Sequence, residues 1–281
     1  MTTTPRTLAF PDGQTVPVLG QGTWFMGETQ TRASAEIRAL QAGIDAGLRL
    51  IDTAEMYANG GAEEIVGRAI QGRRDDVFLV SKVLPGNASR RGVARACEAS
   101  LRRLGVDRID LYLLHWRGPH PLAETVEAFE QLVSQGKIAR WGVSNLDAGE
   151  MKELAALPQG DRVQTNQVLY NLGRRGIEFD MLPWCASRRI PIMAYSPIEQ
   201  GRLLLDPTLK QISERHGISA AAAALAWVLR EPGIIAIPKT ASREHLRQNM
   251  ACLDVTLTEQ DLAELDQAFP PPKRKRPLEM L

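Results

Sequence analysis

Short apolar runs alternate along this chain with longer stretches whose apolar residues recur at helical spacing. The runs read as strands: VLGQGT from Val18, LRLIDT from Leu48, VFLVSK from Val77, IDLYLLH from Ile109, RWGVSN from Arg140, RVQTNQ from Arg162, IPIMAYS from Ile190 and IIAIPK from Ile234. The stretches between and after them predict helices over 34–46, 62–70, 89–104, 123–135, 147–156, 182–187, 209–216, 219–230, 243–252 and 258–268. Glu36 would fall in the first turn of its helix, and the last helix opens on the capping sequence TLTEQD. Ahead of the first strand, Asp12-Gly13 lies between two apolar runs and predicts a hairpin.

Strands alternating with helices imply a parallel sheet covered by helices. Eight strand runs favour an α/β fold closed into a (β/α)8 TIM barrel, with an N-terminal β-hairpin and extra C-terminal helices. An open dinucleotide-binding sheet is disfavoured. Gly20-Gln21-Gly22 supplies a GxG after the first strand, but Phe25 stands where the third glycine belongs. The 281 residues, 44% hydrophobic and 24% charged, suit one barrel domain over 1–281, with 268–281 as a tail.

Composition removes several classes of partner. The net charge is +1, from 34 basic and 33 acidic side chains, so neither nucleic acid nor an anionic membrane is expected. The basic cluster 273–276 follows three prolines and reads as a solvated tail. Cys97, Cys185 and Cys252 are far apart and form no CxxC pair, which fits reduced thiols in a cytoplasmic protein. The first ten residues carry no apolar signal core, and the apolar stretch 218–229 is shorter than the roughly 20 residues a membrane span needs. His115 and His120 lack a helical ligand spacing, so no metal is expected. A monomer is the expected state.

Barrel enzymes build their sites at the C-terminal ends of the strands. Those ends read Asp52, Ser81-Lys82, His115, Ser144-Asn145, Asn166-Gln167, Tyr195-Ser196 and Lys239-Thr240. All are expected at one rim. Each alone has an ordinary role: an Asp after a strand is usually a cap, a Lys a surface group, a His a satisfied core residue. Trp24 and Trp116 alone would pack under loops. A whole ring of amides, hydroxyls and ionisable groups exceeds what loop beginnings require.

The segments carrying these residues are LRLIDTAEMY at 48–57, VSKV at 80–83, LLHW at 113–116, GVSN at 142–145, TNQV at 165–168, AYSP at 194–197 and IPKT at 237–240. In order and spacing, across nearly the whole chain, they resemble the aldo-keto reductase family. Within it the chain looks most like bacterial methylglyoxal and diketogluconate reductases. The resemblance implies hydride transfer from NAD(P)H to a small aldehyde or ketone, with Asp52, Tyr57, Lys82 and His115 as catalytic tetrad. Tyr57 would protonate the nascent alkoxide, Lys82 would lower the Tyr57 pKa, Asp52 would keep Lys82 charged, and a neutral His115 would orient the carbonyl.

The same resemblance places the nicotinamide carboxamide on Ser144, Asn145 and Gln167 and its ring on Tyr195, with Gly22, Thr23, Trp24 and Ser196 beside it. Trp24, Met56 and Trp116 would line the substrate side, where Leu84 replaces an aromatic found in many relatives. Lys239 and Thr240 would take the adenosine 2′-phosphate, and Gln248 and Asn249 the adenine. Relatives carry an Arg where this chain has His245. An imidazole, unlike a guanidinium, loses its charge near neutral pH, so NADPH is expected to be preferred by a reduced margin, with NADH usable. The tail is expected to cover the pocket loosely and to favour small carbonyls over steroids. Two alternatives keep part of this picture. One is a lyase forming a Schiff base on Lys82, against which the carboxamide-pocket segments argue. The other is a cofactor-sensing β-subunit-like binding protein, for which the short loops offer no docking element.

Overall fold

The computed structural model describes residues 6–281. Strands β1 (Thr7–Ala9) and β2 (Thr15–Pro17) form the antiparallel hairpin, turning at Asp12-Gly13 with Gly13 at φ +89°. Eight parallel strands follow: β3 (Gln21–Gly22), β4 (Leu50–Asp52), β5 (Phe78–Val83), β6 (Ile109–Leu114), β7 (Ile138–Ser144), β8 (Asn166–Leu169), β9 (Ile192–Tyr195) and β10 (Ile234–Ala236). They lie side by side in sequence order, and parallel bridges Leu19–Ala236 and Gly22–Lys239 close β10 onto the first strand. The Gly20 N–H donates to the Ala236 carbonyl at 2.8 Å, and the Ala236 N–H to the Val18 carbonyl at 2.8 Å. A Cβ on Gly22 would sit 2.7 Å from the Ile237 carbonyl oxygen. This glycine pair therefore lets the barrel shut; it is not half of a phosphate loop.

Strand side chains alternate in and out of a barrel. The inward set Leu50, Phe78, Val80, Leu111, Leu113, Met193, Ile235 and Ile237 forms its own apolar cluster, joined by Phe10 and Val16 of the hairpin. Phe10 stacks on Phe78 at 5.5 Å, so the hairpin plugs the N-terminal end of the barrel. At the C-terminal end the next inward positions on β4 and β5, and just past β6, are Asp52, Lys82 and His115. The alternation that fills the core thus delivers the polar groups to the mouth.

The helices α1 (Gln30–Asp45), α2 (Gly61–Ala69), α3 (Arg90–Leu104), α4 (Leu122–Ser134), α5 (Ala148–Ala155), α6 (Met181–Ser187), α7 (Pro207–Arg215), α8 (Ala220–Val228), α9 (Arg243–Met250) and α10 (Glu259–Ala268) match the ten expected ones in place. The start of α1 differs. It begins four residues before the expected 34, so Glu36 lies in the second turn, buried, and its carboxylate accepts the Gly27 N–H at 3.0 Å. The TLTEQD signal is a true capping box, with Thr258 and Asp261 bonded reciprocally. Cys97, Cys185 and Cys252 are buried and free, and burial pushes each thiol up to about 12, which leaves none of them nucleophilic. Among the described residues no helix is long and apolar enough to cross a membrane.

Candidate active site

Lys82 is the hub. Its side chain is fully buried, and its ammonium donates to Asp52 Oδ2 at 2.8 Å, to the Thr53 carbonyl at 2.9 Å and to the Tyr57 hydroxyl at 3.2 Å. All three N–H donors are used, which is what a buried ammonium requires. Asp52 Oδ1 accepts the Gln167 amide at 2.7 Å, so the carboxylate is fixed from both sides. Tyr57 reaches the hub because the chain leaves β4 through a short loop. The His115 ring meets the Tyr57 ring edge-on at 5.7 Å, with Trp116 at 4.9 Å from His115.

The electrostatics correct one expectation. Lys82 was to draw Tyr57 down, but Tyr57 is pushed well above its ordinary value, first by burial and then by the charge of Asp52. Desolvation comes first and the Asp52 charge adds to it, so both act to keep the phenol protonated. The phenol therefore stays protonated over the working pH range and holds a proton to give. Lys82 itself is lowered by burial and raised again by Asp52.

His115 is pushed down to about 2, by burial first and by Lys82 second, so it is neutral. Its Nδ1 is buried without a hydrogen-bond partner. A proton there would be an orphaned donor, so the favoured tautomer carries its proton on Nε2. A stability consequence follows. A histidine whose folded pKa lies below its unfolded value costs the fold stability as pH falls through the gap. Wild type should lose about 1.4 kcal/mol per pH unit to this residue between roughly pH 6.5 and the folded value. Unfolding midpoints of wild type and His115→Asn at pH 6.5 and 4.5 measure it, and parallel acid limbs would refute it.

Two of the polar pairs at the strand ends, Ser81-Lys82 and Asn166-Gln167, send only one member to the mouth, against the expectation that all line one rim. Ser81 points outward and donates to Glu63 of α2 at 2.6 Å, and Asn166 points outward to the Leu146 carbonyl at 2.8 Å. Period-two alternation forces this: neighbours on a strand cannot share a face. Ser144, Asn145 and Gln167 do converge. Ser144 Oγ donates to the Gln167 carbonyl at 2.8 Å, and Asn145 Nδ2 donates to the His115 carbonyl at 3.1 Å. The Tyr195 hydroxyl donates to Asn145 Oδ1 at 3.0 Å, which sets the plane of its ring. Asn145 sits at φ +57°, a conformation that asparagine tolerates better than most residues.

A cleft of about 520 Å³ runs from Asp52 and Tyr57 at the mouth to Lys239 and His245 beside the start of α9. Gly22, Thr23, Trp24, Tyr195 and Ser196 lie along it, as expected for a cofactor channel. Phe25 lines it as well, held at φ +66° and stacked on Trp24 at 4.4 Å, a position sequence reading passed over. Thr240, Gln248 and Asn249 do not line it. The Thr240 hydroxyl accepts the Ser242 N–H at 3.0 Å, the Gln248 amide donates to Glu244 at 3.0 Å, and Asn249 is buried. On the substrate side Leu84 is anchored by its N–H on Glu55 at 2.6 Å, Trp24 and Trp116 are half-buried, and Met56 is exposed. An aromatic at the inner end and a lysine at the outer end suit a long, flat, anionic dinucleotide. The tail is not loose. Glu279 pairs with Arg174 at 2.6 Å, Lys275 with Asp180 at 3.6 Å, and Leu278 packs on the main core.

Comparison with known proteins agrees with this geometry. The Aldo/keto reductase family profile matches residues 18–269. The chain is 53% identical to methylglyoxal reductase YeaE of Escherichia coli K12 over 98% of this chain and 99% of the other. It is 33% identical to glyoxal reductase of Bacillus subtilis over 92% and 91%. An aldo/keto reductase from Klebsiella pneumoniae, crystallised with NADP and acetate, superposes with a TM-score of 0.96 at 53% identity, covering 99% of this chain and 100% of that one. A buried Asp–Lys–Tyr hub in a closed eight-stranded barrel, a motif series in one order and these likenesses make one statement: the chain belongs to the aldo/keto reductase family.

Proposed function

We propose that this protein, acting as one barrel domain, reduces small aldehydes and ketones with NADPH, methylglyoxal-type carbonyls foremost. The observation that carries the reading is the hub in which one buried ammonium bridges a carboxylate and a phenol at the inner end of the cleft. The reduced nicotinamide supplies the hydride. Tyr57 gives its proton to the oxygen that becomes an alkoxide, and Lys82, 3.2 Å away, stabilises the phenolate left behind. Asp52 offsets the cost of burying that ammonium. The Nε2–H of His115 donates to the carbonyl oxygen and aims it at Tyr57. Tyr195, fixed by Asn145, offers a face on which a flat ring rests, which leaves the other face to substrate. Ser144, Asn145 and Gln167 hold the carboxamide, and Lys239 the 2′-phosphate.

The Schiff-base alternative loses support from the same hub. Lys82 is buried and spends its donors on three acceptors, so it has no free lone pair for a carbonyl carbon. A cytoplasmic monomer fits the near-neutral charge and the buried, reduced thiols. The deciding experiment is a panel of aldehydes and ketones assayed with NADPH and with NADH. Short dicarbonyls should outperform steroids, and no turnover of any carbonyl with either cofactor would end this reading.

Cofactor choice gives a second test. His245 and Lys239 line the outer end of the cleft together. Arg247 is exposed, pairs with Glu244 at 2.7 Å and does not line the cleft. His245→Arg should therefore sharpen the NADPH preference by about 1–2 kcal/mol, the scale of one charged hydrogen bond. An unchanged ratio of kcat/KM for the two cofactors in the variant counts against it.

A further inference from the structure

The turn leaving β8 grips two walls of the site at once. Buried Asn171 donates from one amide nitrogen to the Ser196 carbonyl at 2.9 Å and to Glu199 Oε2 at 2.7 Å. Three residues on, Arg174 places one arm of its guanidinium on Glu199 Oε1 at 3.1 Å and the other on Glu279 Oε1 at 2.6 Å. Glu199 belongs to the segment after β9 that walls the cofactor cleft through Ser196, Gln200 and Gly201. Glu279 belongs to the C-terminal tail.

The wall segment is strained. Ser196, Glu199 and Gln200 stand at φ +46°, +48° and +56°, conformations that non-glycine residues hold only when their surroundings impose them. The imposing groups are Asn171 and Arg174, with Arg202 adding a longer contact to Glu199 at 3.4 Å. The Glu199 side chain is only 8% exposed, so its carboxylate depends on these partners. The tail ends beside the same site. The Tyr195 hydroxyl, raised by burial to about 12, is drawn back down in part by the Leu281 backbone.

We propose that Arg174 is a positioning residue that couples the C-terminal tail to the cofactor wall through the chain Glu199–Arg174–Glu279. This rests on the cleft being the cofactor site. A ligand lying on Ser196–Gly201 fixes Glu199, Glu199 fixes the guanidinium, and the guanidinium holds the tail. By reciprocity, a docked tail tightens the wall.

Lys273, Arg274 and Lys275 are exposed, so trypsin reads the state of the tail directly. Tail cleavage is followed by mass spectrometry with and without saturating NADP⁺, while quenching of intrinsic fluorescence reports binding. Wild type should be cleaved at least about fivefold more slowly with cofactor, a coupling ordinary for linked sites. Arg174→Gln should be cleaved faster and should lose that ratio, and Arg174→Lys should restore part of it. Should Arg174→Gln fold poorly, Glu279→Gln on the exposed tail tests the same link and should also lose the ratio while still binding cofactor. An undiminished ratio in Glu279→Gln overturns the coupling, as does a wild type that binds cofactor without protection. A wild type whose fluorescence NADP⁺ does not quench overturns the cofactor reading itself, and the coupling with it.

Discussion

Tyr57→Phe should abolish most carbonyl reduction, by a factor on the order of 10²–10⁴ in kcat/KM, the usual contribution of a positioned general acid. Only the hydroxyl is lost. Lys82 keeps Asp52 and the Thr53 carbonyl as partners, so the hub stays charged and folded. The Tyr57 ring can still meet His115 at its edge. Cofactor binding should therefore persist, read by fluorescence quenching, while NADPH oxidation with a short aldehyde collapses. The pH dependence carries a sign. Burial and Asp52 raise Tyr57, so wild-type activity should hold on the alkaline side and fall only as the phenol finally ionises. The residual activity of the variant should lack that alkaline fall. Near-normal turnover by Tyr57→Phe would remove Tyr57 from the mechanism.

How far the sequence discloses this site depends on the kind of signal. Asp52, Lys82 and His115 are legible because each ends an apolar run, and strand ends in a barrel converge. Tyr57 is legible only through the motif around it, since a residue on a loop has no periodicity to place it. Facing is the weakest reading. Barrel strands are buried on both sides, so β5 and β6 are buried at every position and the phase of in and out does not show. That is why Ser81 and Asn166 were expected at the mouth and turn out to bond outward. The early start of α1 has a similar cause: Gln30, Thr31 and Arg32 carry no apolar residue to mark a helical face. Long-range polar links leave no local trace at all. Nothing near residue 174 announces Glu199 or Glu279, and nothing near Glu36 announces the Gly27 amide. The basic cluster 273–276 reads as solvated and is exposed, whereas the tail's hold on the body, through Glu279 on Arg174, leaves no mark in the sequence.

The buried Asp52–Lys82 pair should separate stability from catalysis. Lys82→Met leaves the Asp52 carboxylate, 2% exposed, with the Gln167 amide at 2.7 Å in place of a cation. Asp52→Asn leaves a buried ammonium with two neutral oxygens. Each single change strands a charge, and each should cost about 3–5 kcal/mol of unfolding free energy, the range for breaking a buried pair from one side. The double variant Asp52→Asn/Lys82→Met removes both charges at nearly constant volume. It should recover most of that loss, because an uncharged pair needs no counter-ion and methionine adapts to the lysine's channel. Carbonyl reduction should not recover, since no cation remains beside the Tyr57 phenolate. Chemical denaturation of the four proteins closes the cycle, and single-turnover NADPH oxidation reads the chemistry beside it. Additive losses in the double variant would mean that the two charges do not depend on each other, and activity returning with stability would mean that Lys82 serves only the fold.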